Sequence, residues 1–511
     1  MRKTGNKKIT QKNVKKAAAA IAGMFLCLGA AWGTTSYLNR DNHDDKGDNL
    51  VVSMQESSDE MTDIDDTNKT DDKVVDDQSV YLTGYQQENA ERESEMIGDK
   101  AEKQKETLAE DQGLYAPDSI VLSDTTREKA NRLADKLGAE VRTTDDGKFA
   151  VLYLPDGTTI DDVYNNDEYS QDISDMSPDY YVSVSDLNND LESVSIALPT
   201  EANKSTKSAG TANKKKVRDA RPDYKVNDPN FQKQRYLDYI NLKNTWKTTR
   251  GKGVTVAIID SGIDTDHPEF KGRISKLSYN ASENKTVKDY GLSVIEDTNG
   301  HGTAVAGILA ASMNNKNGIV GIAPEVQLLV IKCSVNKNGE LVRGSDAVFG
   351  LAYAIGAGAD IVNMSFGSYR DFFSKYTKLA VDSDVICVAA AGNESTNIPV
   401  YPAALDEVIA VGAYDPDDDM IADYSNYGEN VDMLAPGTAY TTAMGGGYAL
   451  YTGTSMSAPM VAGAAALYRA SHGKTRFDKM RQLLEASSVD LGVAGQDYYN
   501  GFGELDVYAL V

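Results

Sequence analysis

Short apolar runs alternate with helical patterns over the carboxyl-terminal half of the chain. The runs typical of buried strands are Val254–Ile259, Gln327–Ile331, Ile361–Met364, Val385–Ala390 and Val408–Val411. Helical patterns lie between them, for example over Thr303–Ala311 and Ala347–Ala357. Strands that alternate with helices predict a doubly wound parallel sheet, in which functional sites form at the carboxyl ends of the strands. We therefore assign residues 228–511 to one α/β domain.

A smaller domain is predicted over residues 113–190. Its strand patterns are Ser119–Ser123, Phe149–Leu154 and Tyr180–Val184, and its helical patterns are Thr125–Leu137, with Gly138 at the carboxyl end, and Thr159–Tyr164. This order indicates a small α+β domain. Residues 191–227 are rich in Ser, Thr, Asn, Ala and Lys, which is typical of a flexible linker.

The amino terminus has the pattern of a membrane-targeting segment. Residues 1–16 carry seven Lys or Arg and no acidic residue, and residues 17–38 contain no charge. Twenty-two residues form about 33 Å of helix, which is enough to cross a bilayer. The pattern predicts a signal peptide or a transmembrane anchor, two alternatives that stay open, with the basic tail cytoplasmic and the rest of the chain outside. A soluble Ala-rich helix is the third interpretation.

Charge and cysteine content exclude several function classes. The formal net charge is −25 and the isoelectric point about 4.6, which argues against a nucleic-acid partner. Residues 41–110 carry 22 Asp or Glu and 7 Lys or Arg, a net of −15, so residues 39–112 are predicted to be a disordered acidic stalk. Three cysteines exclude a disulfide-built scaffold, and no zinc-binding spacing occurs.

Four motifs carry candidate chemistry. Asp260 ends the first strand run, His301 stands between two glycines, Asn393 follows a strand, and Ser455 begins a small-residue helix. Each has a plain structural alternative, namely a helix-capping Asp, a core His, a turn Asn and a helix-capping Ser. Together they give the chain order Asp, His, Ser, which is the order found in subtilisin.

With these motifs the segment 228–511 resembles the subtilisin-like serine proteases (subtilases, peptidase family S8). The matching stretches are Asp260-Ser261-Gly262-Ile263-Asp264, His301-Gly302-Thr303, Ile361–Gly367, Ala391-Gly392-Asn393 and Gly453–Pro459. One departure is Ala304, where many subtilases have a second histidine. The resemblance implies a subtilisin-like fold and a serine endopeptidase that needs no cofactor for catalysis.

The resemblance also implies roles for individual residues. Ser455 would be the nucleophile, His301 the general base, Asp260 its orienting carboxylate and Asn393 an oxyanion donor. The pocket for the residue before the scissile bond would be lined by Ser365, Phe366, Gly367, Gly392 and Val400. No acidic residue lies there, and the Val400 side chain would favour small or medium apolar residues. Gly339–Gly344 would supply an edge strand that pairs with extended peptide substrates.

Further expectations concern maturation and metals. Subtilases often carry a ferredoxin-like propeptide that inhibits the enzyme until it is cut off, so residues 113–190 are predicted to be one, with cleavage between Asn188 and Asp228. Glu269 and the loop 314–318 resemble a family calcium site, and an ordinary Asn/Gly turn is the equal alternative. We therefore expect an extracytoplasmic, self-processing zymogen acting on peptides or proteins. The competing function is a peptide-binding pseudoprotease without activity.

Overall fold

The structure is a computed structural model that describes residues 115–169, 172–183, 225–242, 244–335, 338–339, 341–416 and 420–511. The predicted basic tail, membrane segment and stalk lie outside the described residues, as does nearly all of the predicted linker. Within the described ranges, no helix is long and apolar enough to cross a bilayer.

Sixteen strands and eleven α-helices are assigned in the described part of the chain. The strands are β1 (Tyr115–Leu122), β2 (Glu140–Thr143), β3 (Ala150–Tyr153), β4 (Ser177–Ser183), β5 (Thr255–Asp260), β6 (Tyr279–Asn280), β7 (Lys285–Thr286), β8 (Gln327–Lys332), β9 (Leu341–Arg343), β10 (Ile361–Met364), β11 (Ile386–Ala390), β12 (Val408–Asp415), β13 (Met420–Ile421), β14 (Met433–Pro436), β15 (Thr438–Ala443) and β16 (Gly447–Thr452). The helices are α1 (Arg127–Leu137), α2 (Ile160–Tyr164), α3 (Tyr236–Tyr239), α4 (Thr245–Thr248), α5 (Val287–Tyr290), α6 (His301–Ala310), α7 (Gly344–Gly356), α8 (Ser374–Asp382), α9 (Thr454–His472), α10 (Phe477–Ser487) and α11 (Val507–Leu510).

The large domain is built on the predicted parallel sheet. Strands β12, β11, β10, β5 and β8 lie side by side in that order and pair in parallel, and β14 also pairs in parallel with β12. All five predicted strand runs are confirmed within a few residues. Their side chains are apolar on both sides because a parallel sheet is covered by helices on each face.

Alternate residues of the strands feed two hydrophobic cores. On one face Ile258 and Val388 pack with the buried residues of α6 and α9. On the other face Ile259 and Met364 pack with α7 and α8. The helix α9 is buried along nearly its whole length, because its Ala and Gly residues allow close packing over the sheet. The architecture is therefore doubly wound, as predicted, and it brings the carboxyl ends of β5, β10 and β11 to one edge.

The small domain has one strand more than predicted. Its elements follow the order β1, α1, β2, β3, α2, β4, and its antiparallel strands lie in the order β2, β3, β1, β4, which is the ferredoxin-like arrangement. The strand β2 escaped prediction because its sequence, Glu-Val-Arg-Thr, is mostly polar and none of its residues is fully buried. Gly138 ends α1 in the left-handed conformation, with φ of 63°, as the pattern predicted.

The two domains share a sheet edge. β4 of the small domain pairs antiparallel with β9 of the large one, with Tyr181 opposite Arg343 and Ser183 opposite Leu341. The predicted edge strand at Gly339–Gly344 therefore forms. In this structure its partner is the small domain of the same chain.

Candidate active site

Four elements present the candidate catalytic side chains. Asp260 is the last residue of β5, His301 is the first residue of α6, and Asn393 follows β11 by three positions. Ser455 is the second residue of α9, behind Gly453, whose φ of 147° turns the chain into the helix. The four residues span 195 positions of the sequence, from Asp260 to Ser455, and the sheet brings their elements to the same edge.

His301 and Asp260 form a direct pair. The His301 Nδ1 atom lies 2.8 and 3.0 Å from the two carboxylate oxygens of Asp260, and both side chains are buried. The Ser261 N–H also donates to Asp260 Oδ1 at 2.7 Å. A carboxylate next to Nδ1 holds the proton on that nitrogen, so the neutral ring presents its basic lone pair at Nε2. The pair can therefore accept a proton at Nε2.

Asp297 links the segments that carry Asp260 and His301 by hydrogen bonds, and its role was not predicted from the sequence. Its Oδ1 accepts hydrogen bonds from the Ser261 hydroxyl at 2.9 Å and the Gly300 N–H at 2.9 Å. Its Oδ2 accepts from the Thr303 N–H at 3.0 Å and the Thr303 hydroxyl at 2.6 Å. One buried carboxylate thus ties the residue after Asp260 to the first turn of the helix that carries His301. The sequence feature that could have indicated this role is the position of Asp297, four residues before His301.

Ser455 lies at a helix end that favours negative charge. The first N–H groups of a helix have no partner within it, and the macrodipole makes this end positive. The Ser455 hydroxyl donates to the Ser365 carbonyl at 3.3 Å. In return the Ser365 hydroxyl donates to the Ser455 carbonyl at 3.0 Å and accepts from the Asn363 amide at 2.9 Å. Ser365 is fully buried, so its side chain acts here as a link to Ser455.

The amide of Asn393 is oriented by the same helix end. Its Oδ1 accepts a hydrogen bond from the Thr454 N–H at 2.7 Å. The Thr454 hydroxyl in turn accepts from the Gly392 N–H at 3.1 Å. Because the amide oxygen is held by Thr454, the NH₂ group is the other end of the side chain and can serve as a donor. Asn393 and Ser455 are therefore positioned through one residue, Thr454.

Two of the predicted pocket residues, Gly367 and Val400, lie against each other. A side-chain carbon added at Gly367 would lie 2.4 Å from Val400 Cγ1, so the Val400 side chain is packed against that glycine. Ser368 and Tyr401 exchange two backbone hydrogen bonds of 2.9 and 2.7 Å, which hold the two segments together. Phe366 is buried beside Phe373. The structure thus brings Gly367 and Val400 together, and their role in a substrate pocket stays a prediction.

Ionisable residues line the contact between the two domains. Asp179 of the small domain accepts hydrogen bonds from the Ser345 N–H at 3.1 Å and the Ser345 hydroxyl at 2.7 Å, in the first turn of α7. Arg142 lies 3.3 Å from Asp346 in the same turn. Both carboxylates are buried, and burial, together with the Asp179 charge, raises the pKa of Asp346 to about 7. Burial also raises the pKa of Asp179.

The residues of the predicted calcium site form a hydrogen-bonded turn. Glu269 accepts from the Ile319 N–H at 3.0 Å, the Asn315 amide at 2.7 Å and the Tyr448 hydroxyl at 2.9 Å. Asp228 accepts from two N–H groups of the loop 314–318. No group of three or more His, Cys, Asp or Glu suited to a metal was found among the described residues. With these donors in place the set fits the turn, and it does not fit a calcium ion without rearrangement.

Comparisons with known proteins identify the family of the chain. A sequence model of the subtilase family matches residues 251–503. The intracellular serine protease of Paenibacillus polymyxa is 41% identical over 244 residues, 46% of this chain and 72% of that protein. Thermitase of Thermoactinomyces vulgaris is 32% identical over 292 residues, 56% of this chain and 99% of thermitase.

A solved structure supports the fold alone. Fervidolysin from Fervidobacterium pennivorans, described as a keratinolytic enzyme related to subtilisin, superposes with a TM-score of 0.60 at 21% identity. The match covers 78% of this chain and 61% of fervidolysin. With the family model, the relatives and the fold in agreement, the chain belongs to the subtilase family and is a serine-type endopeptidase.

Proposed function

We propose that this endopeptidase cleaves peptide bonds with Ser455 as nucleophile, His301 as general base, Asp260 as orienting carboxylate and Asn393 as oxyanion donor. The observation that carries the assignment is the paired contact between Asp260 and His301 Nδ1, at 2.8 and 3.0 Å, inside a buried site. That contact fixes the tautomer a base needs, and family membership supplies the reaction class.

The chemistry follows from these positions. His301 Nε2 takes the Ser455 hydroxyl proton while Oγ attacks the substrate carbonyl, and the resulting oxyanion receives hydrogen bonds from the Asn393 NH₂ and the Ser455 N–H. His301 then gives the proton to the leaving amine, and the C–N bond breaks to leave an acyl-enzyme. Water repeats the sequence on the ester and restores Ser455. Asp260 stabilises the imidazolium throughout and keeps its own charge.

The substrate pocket would accept a small or medium apolar residue before the scissile bond. The backbone that leads away from Ser365, beside Ser455, reaches Gly367 two positions later, and Val400 packs against Gly367. A side chain that enters along this wall would meet the Val400 methyl groups. The buried Phe366 makes the surrounding wall apolar. These contacts support an uncharged, compact first pocket.

The small domain would be the propeptide and an intramolecular inhibitor. β4 occupies the edge of β9, where an extended substrate could otherwise pair. It ends opposite Leu341, and Gly339, two positions from Leu341, contacts Asn299 in the loop before His301. The described part of β4 therefore pairs with the segment that leads to Gly339 and the loop before His301. The predicted cleavage region, Asn188–Asp228, begins outside the described residues and stays a prediction.

The cellular location stays a proposal that rests on the amino terminus. The basic residues 1–16 and the uncharged residues 17–38 are the support for export, with cleavage or anchoring both open. Family membership does not decide it, because one relative is named an intracellular serine protease. Fractionation of cells and medium, followed by detection of the peptidase domain, tests export directly.

Calcium binding also stays a proposal. The test is the unfolding temperature of the chain with added calcium and with a chelator. A higher unfolding temperature with calcium would mean that Glu269 and the loop 314–318 rearrange to bind the ion. An unchanged temperature would support the hydrogen-bonded turn.

A covalent label tests the assignment of the nucleophile. The chain is treated with a fluorophosphonate, a reagent that phosphonylates activated serines, and the modified residue is identified by mass spectrometry. We expect the label on Ser455 and its loss in His301→Ala, because the serine is activated by its base. Ser457, which is buried two positions away, serves as the control site. Absence of labelling in a folded, mature chain would favour the pseudoprotease.

A further inference from the structure

The buried side-chain amide of Asn426 forms hydrogen bonds to the loop that carries Asn393, the proposed oxyanion donor. Asn426 lies between β13 and β14, and only 3% of its surface is exposed. Its Oδ1 accepts hydrogen bonds from the Glu394 N–H at 3.0 Å and the Thr396 N–H at 3.1 Å. Its Nδ2 donates to the Ala391 carbonyl at 3.0 Å and to the Glu394 carboxylate at 2.6 Å. Both lone pairs and both N–H groups of the amide are therefore used.

These bonds lie on both sides of Asn393. The side chain of Asn426 binds one backbone group before Asn393, at Ala391, and two after it, at Glu394 and Thr396. The Asn426 N–H adds a fourth backbone bond, to the Gly392 carbonyl at 2.9 Å. One residue thus fixes the path of the chain through the segment 391–396.

The segment needs such a restraint because Ser395 has a left-handed backbone conformation, which is strained in a residue with a side chain. Gly392 has φ of 104° and Ser395 has φ of 53°, so left-handed conformations stand on both sides of Asn393. Such conformations persist when surrounding contacts over-determine them, above all for a residue with a side chain such as Ser395. A side-chain carbon at Gly392 would lie 2.2 Å from Asn426 Nδ2, so the amide is packed directly on the turn at Gly392.

We propose that Asn426 is a positioning residue for the oxyanion donor: it holds Asn393 so that its NH₂ group faces the carbonyl attacked by Ser455. The proposal rests on the proposed function, in which Asn393 stabilises the oxyanion. The Thr454 N–H binds Asn393 Oδ1, and this bond fixes the end of the Asn393 side chain. The backbone around Asn393 is held by the hydrogen bonds of Asn426. A donor acts only where the oxyanion forms, so a small displacement reduces turnover more than substrate binding.

The test is a double-mutant cycle on the mature enzyme, produced from the full-length chain. Turnover of a peptide p-nitroanilide is measured for the parent, Asn426→Ala, Asn393→Ala and the double variant, each corrected by titration of active sites. In subtilisin, loss of an oxyanion donor costs about 10²–10³ in kcat. Since misplacement by about 1 Å can cost 10²-fold, we expect Asn426→Ala to lower kcat about 10- to 100-fold with a smaller change in KM.

The cycle separates positioning from general loop stability. In the Asn393→Ala background the side-chain donor that Asn426 positions is absent, so Asn426→Ala should lower kcat further by less than about threefold. An equal loss in both backgrounds would overturn the proposal, as would an unchanged kcat in Asn426→Ala alone. Asn393→Ala with unchanged kcat would instead refute the proposed oxyanion role.

Two further variants guard against trivial outcomes. Glu394→Ala removes the bond to an exposed carboxylate and leaves the three side-chain bonds to the backbone, so its kcat should stay within about twofold of the parent. Asn426→Asp keeps the two acceptor bonds and fills the same volume, so it is measured if the alanine variant does not fold. Its second oxygen faces the Ala391 carbonyl, and kcat should again fall while KM stays close to that of the parent.

Discussion

Replacing Val400 by glycine should change which residue the enzyme prefers before the scissile bond. Val400 fills the space against Gly367, and the substitution removes three carbon atoms from that wall. Burial of apolar groups contributes about 0.8 kcal/mol per CH₂, so a large side chain that fills the space should gain about 2 kcal/mol. That gain corresponds to about a 30-fold increase in kcat/KM for a large residue relative to a small one.

The assay compares two peptide anilides that differ only in phenylalanine or alanine at this position. The ratio of their kcat/KM values should rise about 30-fold in Val400→Gly, within the range that hydrophobic pockets allow. The control is Ile398→Ala, because Ile398 is exposed in the same loop and should leave the ratio unchanged. An unchanged ratio in a folded, active Val400→Gly enzyme would refute the placement of Val400 in the pocket.

Three further predictions concern the triad, the domain contact and the Glu269 turn. Asp260→Asn should lower kcat by about 10⁴, because an amide NH₂ beside Nδ1 favours the wrong tautomer; steady-state kinetics measures it. In the Ser455→Ala chain, raising the pH from about 4 to about 7 should loosen the small domain, because an exposed Asp346 ionises over this range while the buried Asp346 stays protonated; limited proteolysis at pH 5 and pH 8 measures it. Tyr448→Phe should reduce the free energy of unfolding by about 1.5–3 kcal/mol, because buried Glu269 loses a charged hydrogen bond; urea denaturation measures it.

Each of these has a result that would contradict it. Near-normal turnover in Asp260→Asn would separate that carboxylate from catalysis. For the domain contact the sign is set by the raised pKa of Asp346, whose stabilising effect is complete below its ordinary value near 3.8 and is lost as the pH approaches 7. Asp346→Asn should reduce this pH dependence, and faster proteolysis at pH 5 than at pH 8 would contradict the proposed role of Asp346. An unchanged denaturation midpoint in Tyr448→Phe would show that the bond adds nothing.

The sequence predicted the parallel sheet well because each of its central strands is a continuous apolar run. It missed β2 and the hairpin of β15 and β16, whose Thr, Tyr and Gly residues carry no strong period. That hairpin matters for the site, since the hydroxyls of Thr441 and Thr442 donate to the carbonyls of Ala304 and Thr303 in the first turn of α6. Its contribution depends on tertiary contacts that local patterns do not encode.

In the candidate site, too, some residues could be predicted from the sequence and others could not. Asp260, His301, Asn393 and Ser455 stand in motifs with specific neighbours, so the sequence alone could select them. Asp297 and Asn426 act through hydrogen bonds to residues 36 and 30–35 positions away in the sequence. The sequence alone does not show which distant residues come into contact. The pairing of β4 with β9 escaped for that reason too, since it joins residues 160 positions apart.

The most direct test of the catalytic assignment is intact mass and amino-terminal sequencing of the chain from cells and medium, wild type beside Ser455→Ala. If Ser455 is the nucleophile of a self-processing protease, the wild type should yield a mature product that starts between Asn188 and Asp228. The variant should keep the small domain attached. The same cleaved product from Ser455→Ala, expressed without any other copy of the enzyme, would contradict self-processing, and retained peptidase activity in that purified variant would contradict the nucleophile.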